Sequence, residues 1–106
     1  MITNEQIKNT QQRIDDLYRY LQIDKKKIEI ANSEEKTAAP EFWDNPKQAE
    51  AFLKQLRSQK KWVEDYTEIH TEFEDLQVLM DFAKEDAESE MELDEGFPRL
   101  IEKIEN

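Results

Sequence analysis

The residues that break helices are gathered at two places in this chain, and that distribution limits the folds open to it more than any other feature. Pro40 and Pro46 flank one short stretch, Gly96 and Pro98 another, and the 106 residues hold no other glycine or proline. Everything between is free to run as long helix. A single glycine also leaves too few tight turns for a hairpin-rich β protein. Apolar residues make up 37% and charged residues 39%, which suits long, well-solvated helices with a narrow buried stripe. Disorder is the competing reading of so charged a chain, but the apolar residues are large and regularly spaced.

The first segment, about residues 4–36, has Ile7, Ile14, Leu21 and Ile28 each seven apart. Leu17, Tyr18, Ile30 and Ala31 widen that stripe. This period predicts an amphipathic helix that packs along another, with Thr3 or Asn4 as its N-cap. Asp24 marks a candidate break, because aspartate prefers caps to helix interiors. One helix or two kinked ones both satisfy the pattern.

The stretch "TAAPEFWDNPKQ", residues 37–48, forms the first connection. Pro40 disfavours helix in the residue before it. Asn45 then reads as an N-cap, Pro46 as the first helical residue and Gln48 as the partner in a capping box. Phe42 is placed to fold back on the next turn near Ala49, as a hydrophobic staple does. The rings of Phe42 and Trp43 are expected to plug the end of the bundle.

From Pro46 to about Asp86 nothing interrupts the spacing. Phe52, Leu56, Val63, Tyr66, Ile69, Phe73, Leu76 and Met80 recur at threes and fours. Forty helical residues would span roughly 60 Å. Residues 84–95, "KEDAESEMELDE", read as an acidic loop or frayed turn. A last helix follows over about 94–105 with Leu100, Ile101 and Ile104. The expected fold is therefore all-α: an elongated antiparallel three-helix bundle, coiled-coil-like, with one very long central helix. It forms a single helical domain over residues 1–106, read as a fragment of a longer protein.

Chemistry is sparse in the chain. There is no cysteine, hence no disulfide or thiolate site. His70 is the sole histidine and reads as structural or surface. No second imidazole accompanies it for a metal, and no nucleophile completes a triad. The acidic stretch fits no EF-hand register, since the sixth position is Met91 counted from Asp86 and Glu95 counted from Glu90. Catalytic residues, metal ligands and cofactors are therefore all expected to be absent. No run approaches the roughly 18 apolar residues of a membrane span and the N-terminus lacks a signal-peptide core, so the chain reads as cytoplasmic.

The net charge of −11 is unevenly held, with residues 1–63 at +2 and residues 64–106 at −13. So acidic a second half is repelled by a phosphate backbone. Two basic clusters, Arg19 with Lys25, Lys26 and Lys27, and Lys54 with Arg57, Lys60 and Lys61, read as solvated faces or intramolecular pairs. Direct RNA contact is not expected. The basic first half is instead expected to lie against the acidic second helix.

The words "LYRYLQIDKKKIEI", "AAPEFWDNPKQA" and "KKWVEDY" together resemble the N-terminal helical domain of bacterial class-1 peptide chain release factors of the release factor 2 type. The likeness covers residues 14 to about 66 well and the acidic remainder more loosely. Phe42–Pro46 is its specific part. Gln22 departs from the aspartate expected before "IDKKK". The resemblance implies a translation termination factor that reads UGA or UAA and triggers peptide release with Ser-Pro-Phe and Gly-Gly-Gln tripeptides. Neither tripeptide occurs here, and one glycine cannot supply the second, so the chain itself is not expected to be an enzyme. Implied partners are the ribosome near the stalk base of the large subunit, the class-2 release factor GTPase and the remainder of the release factor chain.

In an up-down-up bundle the N-terminus and the acidic connection meet at one tip. Glu85, Asp86 and Glu88 are the residues expected there to meet a basic partner. A stand-alone coiled-coil adaptor that binds partner helices is the other reading of the same pattern.

Overall fold

A computed structural model describes residues 2–106 and contains four α-helices: α1 (Asn4–Tyr20), α2 (Ile23–Thr37), α3 (Pro46–Ala83) and α4 (Ala87–Glu105). A short 3₁₀ turn, Pro40–Asp44, precedes α3. No strand occurs among the described residues. The all-α expectation holds, and the first segment forms two helices, one of the two alternatives its pattern allowed.

The break falls at Gln22, two residues before the candidate at Asp24. Gln22 sits in the left-handed region (φ 52°, ψ 52°), outside helical geometry, and separates α1 from α2. Its N–H donates to Arg19 O at 3.2 Å. The Lys26 ammonium donates to Leu21 O, one of the carbonyls left open at the end of α1. Asp24 lies in the first turn of α2, where a carboxylate faces the positive end of the helix dipole.

The break also resets the heptad. Ile14 and Ile23 are fully buried whereas Ile28 is 64% exposed, so the seven-residue ladder does not continue across Gln22. The inward stripe of α2 is Ile23, Lys26, Ile30 and Ser33 instead, at spacings of three and four.

Helix starts follow their local signals. Thr3 caps α1 reciprocally: Gln6 N donates to Thr3 Oγ1 at 3.1 Å and Thr3 N donates to Gln6 Oε1 at 2.8 Å. Asn45 caps α3, its Oδ1 accepting from Gln48 N at 3.3 Å. Pro46 occupies the first helical position, where a missing N–H costs nothing.

At the other end of the chain, α4 begins at Ala87 rather than near 94, and it runs through both Gly96 and Pro98. Only residues 84–86 are non-helical there. The acidic stretch is helical because Asp86 caps it and because Leu93, Phe97 and Leu100, spaced four and three, are buried on one face. Gly96 lies on the packed side: a Cβ at that position would come within 2.9 Å of Leu76 Cδ2. This glycine is a point of close helix approach, not a turn.

The chain resolves into two compact units, one comprising the residues to Tyr18 together with Tyr66–Asn106, the other Arg19–Asp65. In the first, α1, the second half of α3 and α4 bury Ile14, Ile69, Phe73, Leu76, Leu93, Phe97 and Leu100. The Tyr18 and Tyr66 rings lie 5.2 Å apart. Arg13 is 3.7 Å from Glu105, and the Lys103 ammonium donates to Glu68 at 2.9 Å and also to Glu72. Those bonds, to Glu72 first and then Glu68, raise the Lys103 pKa above the ordinary lysine value.

In the second unit, α2 packs on the first half of α3 around Ile23, Ala49 and Leu56. The Phe42 ring meets Phe52 at 5.3 Å, one turn beyond the expected contact with Ala49, and Trp43 at 5.0 Å. Trp43 itself is 57% exposed, so only Phe42 acts as a plug. The inter-helix polar pairs here place the acid on α2 and its partner on α3. Lys60 Nζ is 2.5 Å from Glu34, and Gln59 Nε2 donates to Glu29 at 2.7 Å. The expected arrangement of a basic first segment against an acidic α3 is reversed in this unit.

Candidate functional site

The three acidic residues singled out by sequence all lie where α3 gives way to α4, and all are exposed. Helix α3 closes with two amides, Glu85 N and Asp86 N, both donating to Phe82 O at 3.0 Å. Asp86 then turns extended (φ −138°, ψ 114°) and becomes the N-cap of α4. Its Oδ1 accepts from Glu88 N at 3.0 Å and its Oδ2 from Ser89 Oγ at 3.1 Å. The carboxylate of Asp86 is thus committed to the fold. Glu85 and Glu88 project outward, with Glu88 and Glu90 in the first turn of α4.

A groove of about 260 Å³ opens beside this turn. Its walls come from Ile2–Asn4 at the start of α1, from Met80, Ala83 and Lys84 at the end of α3, and from Glu90 and Leu93 of α4. The start of α1 and the acidic turn are therefore neighbours. Val78 and Phe82, one turn apart on α3, are both exposed. Sequence reading had not marked them. Their spacing matched the general apolar periodicity, and only the packing shows that the core side of α3 in this unit is carried by Phe73, Leu76 and Met80.

The other candidates do not assemble into a site. His70 Nδ1 lies 3.0 Å from Glu74 Oε1, one helical turn on, and its ring faces that of Tyr66 with centroids 6.1 Å apart. Lys25 lies 3.9 Å from Glu29, and Lys61 is 2.8 Å from Asp65. No cluster of three or more metal-ligating side chains exists among the described residues. Among them no helix is long and apolar enough to cross a membrane. Acidic and apolar side chains are both exposed around the α3–α4 turn.

Residues 26–106 match the PCRF domain. The chain belongs to the PCRF domain family. Its relatives include the peptide chain release factor 2 of Pseudothermotoga lettingae, 32% identical over 111 aligned positions covering 98% of this chain and 27% of the relative. That of Streptomyces avermitilis is 30% identical over 96 residues, with 85% and 26% covered, and that of Exiguobacterium sp. 27% identical over 84, with 79% and 23% covered. The chain thus spans about a quarter of the length of these curated relatives. The PCRF match takes in α3 and α4 entire, together with the acidic turn between them and the Phe42–Pro46 corner.

Proposed function

We infer that this PCRF domain serves translation termination as a docking element, supplying contacts to the ribosome and its factors while codon reading and peptide release lie elsewhere in a release factor. The match of residues 26–106 to the PCRF domain carries this reading, supported by relatives named peptide chain release factor 2. In such a factor the stop-codon specificity would be for UGA and UAA. The chain holds neither a Gly-Gly-Gln nor a Ser-Pro-Phe tripeptide, so its own contribution would be binding.

The surface proposed for that contact is the α3–α4 turn, through Glu85 and Glu88, with Asp86 holding the turn in shape. Carboxylates on an exposed, capped turn attract a basic protein surface and speed encounter with it, and they repel bare RNA phosphate. The expected neighbourhood is the stalk base of the large subunit, and the class-2 release factor GTPase is a second candidate partner.

The test is binding of the 106-residue protein to purified large ribosomal subunits. Glu85→Lys with Glu88→Lys should weaken binding by about tenfold, that is by about 1.4 kcal/mol, with the loss shrinking at high salt. Equal affinity of this double variant and the unaltered protein at low salt would remove the turn from the contact. Absence of any binding by the unaltered protein would remove the docking role itself.

A further inference from the structure

A second surface, in the unit formed by Arg19–Asp65, carries an inference independent of the release-factor reading. The Trp43 ring is left largely exposed where the 3₁₀ turn meets α3. It forms one wall of a mainly apolar groove of about 250 Å³ whose other walls are Pro46, Ala49, Glu50, Leu53 and Arg57. An enclosed cavity of about 150 Å³ already takes a benzene ring, so this open groove has room for one long apolar side chain. Lys47, Lys54 and Arg57, spaced seven and three along α3, lie on the same exposed face. Among the described residues none of the three has a carboxylate within ion-pair distance, whereas neighbouring Lys60 and Lys61 are both paired.

The chain also holds the complement of this surface. On α4, Met91 is 64% exposed. Glu88 lies three residues before it and Glu95 four after, with Glu92 adjacent, all exposed. A methionine thioether is well matched to the edge of an indole, and the carboxylates match Lys47, Lys54 and Arg57, which outnumber the one carboxylate in the groove wall, Glu50. RNA is the poorer occupant, because the chain carries a net charge of −11 and a polyanion feels that whole field. A local protein contact feels chiefly the charges within a Debye length, about 8 Å at physiological ionic strength.

We propose that a second copy of this chain occupies the groove, with Met91 of one copy seated against Trp43 and Leu53 of the other, and with Glu92 and Glu95 facing Lys54 and Arg57. The association is weak and reversible, and it sets local charge complementarity against overall like-charge repulsion.

Sedimentation equilibrium of the intact 106-residue protein tests it with two charge-reversed variants. Lys54→Glu with Arg57→Glu makes the groove acidic; Glu92→Lys with Glu95→Lys makes the α4 face basic. Each variant alone should self-associate about tenfold more weakly than the unaltered protein, and an equimolar mixture of the two should regain association. The α4 variant is decisive, since it lowers the net charge and would strengthen any association limited only by overall repulsion. Trp62→Phe leaves Trp43 as the sole indole, whose emission should shift to the blue on association. Met91→Gln, on an exposed position, should abolish that shift while leaving helicity unchanged.

A protein monomeric at all concentrations, or an α4 variant that associates more tightly than the unaltered chain, would overturn the proposal. So would a labelled oligouridylate that binds the monomer through Lys54 and Arg57 with no self-association.

Discussion

Gln22 is the only non-glycine residue with positive φ among those described, and it decides where the first segment breaks. The left-handed region costs an L-residue roughly 1–2 kcal/mol and costs glycine nothing. Gln22→Gly should therefore stabilise the protein by about 0.5–1 kcal/mol after the added backbone entropy of glycine is subtracted. Urea denaturation followed by circular dichroism measures this, and a loss of stability would show that Gln22 makes interactions outweighing its strain. Asp86 makes the opposite kind of contribution. Removing its cap with Asp86→Ala should cost about 1 kcal/mol, whereas Asp86→Asn should cost only a few tenths because asparagine caps as well. The caps at Thr3 and Asn45 were legible in the sequence because capping is local chemistry. The break was legible only as a candidate near Asp24, two residues late, since glutamine carries no left-handed signature.

At the scale of elements, α4 shows burial overriding local breakers. Gly96 and Pro98 both disfavour helix locally, but Leu93, Phe97 and Leu100 keep the helix against α3. Gly96→Ala should be close to neutral, its gain of about 1 kcal/mol in helix propensity offset by displacement of Leu76 Cδ2. Gly96→Val, with more volume at the same contact, should cost about 1–3 kcal/mol. Thermal unfolding of the pair reads this out, and equal melting temperatures would refute the close approach. Lys103 ties α4 to α3 through Glu68 and Glu72. Its raised pKa means that this contribution is fully present below the ordinary lysine pKa. It is lost as pH climbs through the folded-state value. The stability difference between the unaltered protein and Lys103→Met should accordingly persist at neutral pH and vanish at strongly alkaline pH. Pairing partners of this kind are hidden from sequence, because they join residues more than thirty positions apart.

For the molecule as a whole, helical class followed from periodicity and the scarcity of breakers, and the family from "EFWDNP" and its flanking words. The division into two compact units did not, because α3 runs through both without any breaker. The acidic connection expected over residues 84–95 shrinks to residues 84–86, and its internal division of labour emerged only from the hydrogen bonds that commit Asp86 to α4. The docking surface proposed for this PCRF domain consists of Glu85 and Glu88 facing the translation machinery. Competition on large ribosomal subunits tests it most directly, with the labelled 106-residue protein displaced by an intact release factor 2. Displacement by the intact factor, and binding weakened about tenfold by Glu85→Lys with Glu88→Lys, is the expected result. A protein that fails to bind the subunits, or that binds without being displaced, would contradict the account.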